Sequence, residues 1–226
     1  MFADDEVLFR TVRETLFTAV IGDVMDAGGL THQFLPPEIR ALRPEMMVVG
    51  RAMPVLEADC CGEQVGHSGQ AEPFGLMFRA LDDLKPGEVY VAAGGSRTYA
   101  FWGGLMSTRA TSLGATGAVL GGPHRDTREI LSLSLPVFST GAYAQDQRLR
   151  GRVVDYRCAI EFDNAVTVSP GDLIVGDLDG VLVVPAAHVD DIIAQALVKA
   201  EREEHVREMI GRGRSTQNIF AETGIM

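Results

Sequence analysis

The sequence predicts an α/β fold, and three observations carry that expectation. Through the middle of the chain, short apolar runs alternate with helical patterns: a strand over 89–93, Gly94-Gly95, a helix over 100–115, a strand over 117–120, then Gly121-Gly122. Helices with an apolar stripe open and close the chain, and the stretch between about 150 and 184 breaks into short apolar runs separated by turns. Alternation of this kind favours strands sheeted together with helices laid on them.

Taken in order, 6–27 carries Leu8, Val12, Leu16, Ala19 and Val20 at helical spacing, with an interruption at Gly22-Asp23 and a stop at Gly28-Gly29. Thr18 and Asp23 read more naturally as helix caps than as site residues. Residues 46–55 predict a strand, where Gly50 marks a bulge or a close backbone approach. Residues 57–75 are the least regular stretch and read as a loop rimming a cleft. They hold Asp59, Cys60, Cys61, Glu63, His67 and Glu72, yet no pair has the spacing of a zinc site. A helix is expected over 73–84, with Phe74, Met77, Phe78 and Leu81 on one face. Strands follow at 136–139 and 152–156, then a hairpin of 159–162 with 165–168 around Asp163-Asn164. Two further strands, 173–176 and 181–184, flank Asp177 and Asp179, which suit a turn better than a cation site. A long amphipathic helix over 188–210 carries Val189, Ile192, Ile193, Ala196, Leu197 and Ala200. Its stripe continues to Val206, Met209 and Ile210, so packing on a neighbouring subunit is expected.

Composition excludes some classes of partner. The 226 residues suit one domain, with a hydrophobic content of 46%. Net charge is −11, from 20 basic against 31 acidic residues, which argues against nucleic acid or an anionic membrane. The start carries acids where a signal peptide needs positive charge, and no run approaches a membrane span. Three cysteines make no even disulfide framework. A cytoplasmic protein is expected.

The chemistry gathers at 115–130, ATGAVLGGPHRDTREI. A strand ending in a Gly-rich turn delivers polar side chains to a sheet edge, where open α/β folds bind ligands. Arg125 has the fork to clamp a carboxylate, and Asp126 suits a hard divalent cation. On pattern alone, a surface Arg–Asp pair capping a helix start explains the same two residues slightly better. Upstream, Gly103-Gly104 near a helix start offers free amides and close approach to an anion. The pattern matches neither a P-loop nor a dinucleotide fingerprint.

Several motifs in one order make the chain resemble the RraA-like family. They are GRAMPV (50–55), LKPGEVYVAAGG (84–95), FWGGLMSTRA (101–110), GATGAVLGGPHRD (114–126), GRVVDY (151–156) and VSPGDLIVGDLDGVLVVP (168–185). The family includes regulators of ribonuclease E activity and the 4-hydroxy-4-methyl-2-oxoglutarate/4-carboxy-4-hydroxy-2-oxoadipate aldolases. The resemblance implies a single swivelling β/β/α-type domain with a C-terminal helix, assembled as a homotrimer or homohexamer with sites between subunits.

The aldolase branch further implies that amides of Gly103, Gly104, Leu105 and Met106 bind the carboxylate of a pyruvate-like group. Arg125 would bind the 2-oxo acid substrate, and Asp126 would ligate Mg2+ or Mn2+. Glu201 from a neighbouring subunit would act through water, with Glu203 and Glu204 as alternatives. The chemistry implied is retro-aldol cleavage to pyruvate, or oxaloacetate decarboxylation, through a metal-stabilised enolate. One departure stands out: the branch's acidic residue at the second position of its Gly-Asp/Glu-Leu motif is Gly104 here, for which His124 or Glu72 are candidate substitutes. The alternative is a non-catalytic module that binds an RNA-processing enzyme. A methyltransferase activity has no matching Gly-rich loop.

Overall fold

The computed structural model describes residues 2–62 and 72–225. Two helices open the chain, α1 (Asp5–Thr15) and α2 (Thr18–Ala27), followed by strands β1 (Arg40–Ala41) and β2 (Val48–Asp59). Next come α3 (Met77–Asp82), β3 (Glu88–Ala93), α4 (Gly104–Ser112), β4 (Gly117–Leu120), α5 (Thr127–Ile130) and β5 (Val137–Ser139). The second half is β6 (Gly151–Tyr156), β7 (Ile160–Glu161), β8 (Thr167–Val168), β9 (Leu173–Asp177), β10 (Gly180–Val184), α6 (Val189–Gly211) and α7 (Thr216–Thr223).

Eight strands form one sheet in the order β1-β5-β4-β3-β2-β9-β10, with β6 added along β2. The β2–β3, β3–β4 and β4–β5 pairs are parallel, and the rest antiparallel. The sheet curls until its edges nearly meet: Arg40 Nη1 on β1 donates to the carbonyl of Asp179 at 2.7 Å, in the β9–β10 turn. This is the α/β fold with a C-terminal helix that the sequence led us to expect, and its sheet is nearly closed.

Alternation along β2 explains the layering, because successive side chains point to opposite faces. Val49 joins Leu173, Val175 and Leu182 under α1, α2 and α6. Val48 and Ala52 point instead into the curl, with Val91, Phe138 and Ile174. Met53 and Val55 lie on the third cluster, with Tyr90 and Trp102, beneath α3 and α4. The predicted close approach at Gly50 is confirmed: a Cβ there would run into Thr116 Oγ1 and stand 2.7 Å from the Gly87 carbonyl. The hairpin around Asp163-Asn164 is also present, with Ile160 opposite Val168.

Four boundaries differ from expectation. The first helical stretch breaks at Leu16-Phe17, not at Gly22, because Asp177 draws the chain into a new start. Its Oδ2 accepts from the Thr18 amide and its Oδ1 from Thr18 Oγ1, each at 2.7 Å. Gly22 lies within α2, where a Cβ would stand 2.5 Å from Phe34's ring. Second, β2 runs on to Asp59, so Glu57 and Asp59 belong to a strand paired with β6 and not to a loop. Third, α3 starts only at Met77, since Phe74 and Gly75 adopt positive φ (69° and 59°) and the turn hydrogen-bonds to β6. Fourth, α7 gives α6 an intrachain partner: Val206 and Met209 pack on Ile219. Ile210, in the same apolar stripe, stays 41% exposed. Among the described residues no helix is long and apolar enough to cross a membrane.

Candidate functional site

Two strand ends are stitched together to make the site. After β3 the chain turns over 94–99 and then runs without helix through Gly103 instead of entering a helix at Ala100. The amides of Ala100 and Phe101 are taken by the carbonyls of Gln145 (2.9 Å) and Pro123 (2.8 Å), and Trp102 bridges to His124 in parallel. Trp102 anchors this arrangement: its ring is buried 4.9 Å from Tyr90, and its Nε1 donates to Ser107 Oγ at 2.6 Å. Helix α4 can begin only at Gly104, once those bonds are made. Because the Arg125 amide donates to the Trp102 carbonyl at 2.9 Å, the start of α4 lies beside the Arg125-Asp126 turn.

Asp126 precedes α5 in the left-handed region (φ 57°), yet its side chain makes no cap to that helix. Its Oδ2 instead accepts from the Gly104 amide at 3.1 Å, so it caps α4 across the two turns. Asp is among the few residues that tolerate this backbone without a glycine. Arg125 lies between two carboxylates: Nε is 3.7 Å from Asp126 Oδ2, and Nη1 donates to Asp146 Oδ1 at 2.6 Å. The amides of Leu105 and Met106, in the same first turn, have no helical acceptor. The structure thus brings together Gly103, Gly104, Leu105, Met106, Arg125 and Asp126.

Other candidates resolve differently. His124 is buried with both ring nitrogens engaged, Nδ1 with Ser139 Oγ (2.7 Å) and Nε2 with Thr127 Oγ1 (2.9 Å), and burial pushes its pKa down. It is a structural residue. Glu72 lines an adjoining hollow that shares Phe78 with the cavity wall described below. Glu201 lies in a hollow between α6 and α7 with Arg202 and His205, away from Arg125 in the same chain. Glu203 pairs with Lys199 and Glu204 with Arg207, while no ion pair engages Glu201 among the described residues. Glu63 and His67 lie outside the described residues.

Nothing in the spacing marks Asp146, 21 positions from Arg125 in a polar loop. Its neighbour Gln147 is buried and donates to Glu57 Oε2 at 2.6 Å. Glu57 is only 2% exposed, and burial pushes its pKa up to about 8 against the pull of that hydrogen bond. Above the carboxylates a cavity of about 280 Å³ opens, walled by Phe74, Met77, Phe78 and Leu81 on one side and by Leu105 and Met106 on another. Beside it, the Glu129 carboxylate fills the space that a Cβ on Gly104 would occupy.

The donor set fits a hard divalent ion held loosely. Among the described residues no three His, Cys, Asp or Glu side chains converge to cage a metal. Mg2+ is commonly held by one or two carboxylates with water and substrate oxygens completing its shell. Asp126, with a side chain 42% exposed, suits that arrangement.

The RraA-like family model, described as Aldolase/RraA, matches residues 18–183. A candidate 4-hydroxy-4-methyl-2-oxoglutarate aldolase of Halalkalibacterium halodurans is 31% identical over 204 residues, spanning 90% of this chain and 88% of that protein. Among solved structures, one described as of novel cellulases from microbes associated with the gut ecosystem superposes with a TM-score of 0.82 at 28% identity, covering 91% of this chain and 89% of that one. Streptomyces coelicolor RraAS2, an unusual member of the RNase ES inhibitor RraA family, gives 0.76 at 23% identity, covering 92% and 98%. On the length of the family match and the shared fold, this chain belongs to the RraA-like family.

Proposed function

We propose that the protein is a divalent-metal-dependent carbon–carbon lyase that cleaves a 2-oxo acid. The observation that carries this reading is the convergence of Arg125 and Asp126 on the open first turn of α4. The aldolase relative supports the reaction class.

In this reading the Leu105 and Met106 amides bind the substrate carboxylate, as helix starts bind anions. Arg125 adds positive charge beside the oxygen where the enolate develops. Asp146 holds the guanidinium in place, and Asp126 is the residue that would hold Mg2+ or Mn2+. When bound, the ion supplies Lewis acidity to the 2-oxo group. For a 4-hydroxy-2-oxo acid the C3–C4 bond breaks with its electron pair left on C3. The 4-hydroxyl proton leaves to the Asp146 carboxylate and is passed back through water to C3, giving pyruvate and an aldehyde with no net change in protons. Oxaloacetate decarboxylation leaves the same enolate. Glu201 would contribute only from another copy, in a homotrimer or homohexamer.

The test is pyruvate release from oxaloacetate and from 4-hydroxy-2-oxopentanoate, with and without Mg2+ or Mn2+. Metal-dependent release that vanishes in Asp126→Ala, with circular dichroism and oligomer mass unchanged, is the expected result. Turnover that persists in that variant removes Asp126 from the metal site. No turnover of any 2-oxo acid with either metal would leave a binding role, for which the RraAS2 likeness supplies only the fold.

A further inference from the structure

Resting on the lyase reading, we infer that the substrate is a monocarboxylic 2-oxo acid whose C4 substituent is an aromatic or branched hydrocarbon, so that the second product is an apolar aldehyde. The charge inventory of the cavity is the first reason. Arg125 is the only cationic side chain among the described residues that line it, and it faces Asp126 and Asp146. Those three side chains sum to one negative charge before Glu129 beside the cavity is counted, and a divalent ion turns the sum to one positive at most. One substrate carboxylate neutralises it. A second would meet no cation and would lose its hydration against an apolar wall.

The wall is the second reason. Phe74, Met77, Phe78, Leu81, Leu105 and Met106 line the side of the cavity beyond the charged end. Phe74 meets Phe78 edge to face, with ring centroids 5.6 Å apart at 74°. Aromatic rings favour that geometry with a further ring as well. The turn that carries Phe74 is held at positive φ by its hydrogen bonds to β6, so that the ring's position is imposed by the fold. Phe78 and Leu105 are 54% and 81% exposed, leaving apolar surface to cover. Each methylene covered there is worth ~4-fold in affinity.

The reaction is the retro-aldol step given above, with the hydrocarbon on the carbon that becomes the aldehyde. It is tested with the full chain and Mg2+ or Mn2+ in two measurements. Binding is read by calorimetry with 2-oxo-4-phenylbutanoate and with 2-oxoglutarate, neither of which has a 4-hydroxyl to cleave. Turnover is read as pyruvate released from 4-hydroxy-2-oxo-4-phenylbutanoate and from 4-hydroxy-2-oxoglutarate. The phenyl acids should lead by about tenfold or more in both readouts, and Phe78→Lys should reverse the order. If the dicarboxylic acids lead while pyruvate is still released, the lyase reading stands and this substrate class is wrong. If neither pair binds or reacts with either metal, both readings go. If Phe78→Ser and Leu105→Ser alter oligomer mass by light scattering without altering selectivity, the wall is a contact between copies and the inference is overturned.

Discussion

Glu57 sets a pH dependence of stability large enough to measure directly. Its carboxyl sits at the end of β2, where the register shift between Leu56 and Glu57 breaks the regular pairing with β6. Burial raises its pKa from 4.5 to about 8, and only the Gln147 amide opposes the rise. Glu57 Oε1 and the Tyr90 hydroxyl have no hydrogen-bond partner among the described residues, so no cation offsets the lost hydration. Between those two pH values the folded protein keeps a proton that the unfolded chain has released. Stability is therefore fully present below pH 4.5 and is lost as pH rises toward 8. The slope is about −1.4 kcal/mol per pH unit, on the order of 5 kcal/mol across the window. That rivals the whole stability of a small domain, roughly 5–15 kcal/mol. Glu57→Gln keeps the acceptor for Gln147 and cannot ionise. Urea unfolding from pH 5 to 9 should show the natural protein losing ground against this variant up to pH 8 and running parallel above it. Parallel curves throughout would mean that Glu57 is ionised in the fold, and the burial argument would fail.

Two further outcomes follow from the same geometry. Arg125→Lys keeps the charge but loses the fork that reaches Asp146 while staying near Asp126, so kcat/KM for pyruvate release should drop by about 10²-fold with thermal stability nearly unchanged; a drop under threefold would exclude a directed role. Asp177→Ala removes both bonds to Thr18 at the start of α2, and chemical denaturation should register a loss of about 1–2 kcal/mol. An unchanged midpoint would mean that packing alone fixes the break at Leu16-Phe17.

How much was legible depended on whether the signal was local. The apolar runs 89–93 and 117–120 lie in β3 and β4 because strand periodicity and flanking glycines are written in adjacent residues. The grouping of Gly103–Met106 with Arg125-Asp126 was legible too, since it follows from two consecutive strand–turn–helix units. The start of α4 was not. Helical spacing runs back to Ala100, but bonds to Gln145 and Pro123 override it, and they come from residues 22 or more positions away. Asp146 and Gln147 stayed invisible for the same reason: a polar loop gives no sign of which strand end it will cover. Glu57 looked like part of an irregular loop because a carboxylate in a buried strand contradicts every local preference. Helix α7 went unread because only one of its residues, Ile219, is buried.

The absence of an acid at position 104 takes a different meaning once space is considered. Read along the chain, Gly104 is a deletion of charge from the start of α4. In three dimensions Glu129, from α5, places its carboxylate where the side chain of residue 104 would begin. Gly104 is not in the left-handed region, so backbone conformation does not demand a glycine there. Occupied space does, and the occupant is itself an acid. The charge near the first turn of α4 is thus supplied from α5, the element that follows Asp126, rather than from α4. Asp126 Oδ2 likewise stands 2.7 Å from where a Cβ on Gly103 would be. Both glycines therefore serve the same end: they admit the carboxylates of the Arg125–Glu129 segment against a helix start whose amides favour negative charge. A Gly104→Asp and Glu129→Ala double variant moves the acid back onto α4 while keeping the local charge. If position in space is what matters, the double variant should retain metal-dependent turnover that Glu129→Ala alone reduces; equal activity of all three would show that neither carboxylate bears on the site.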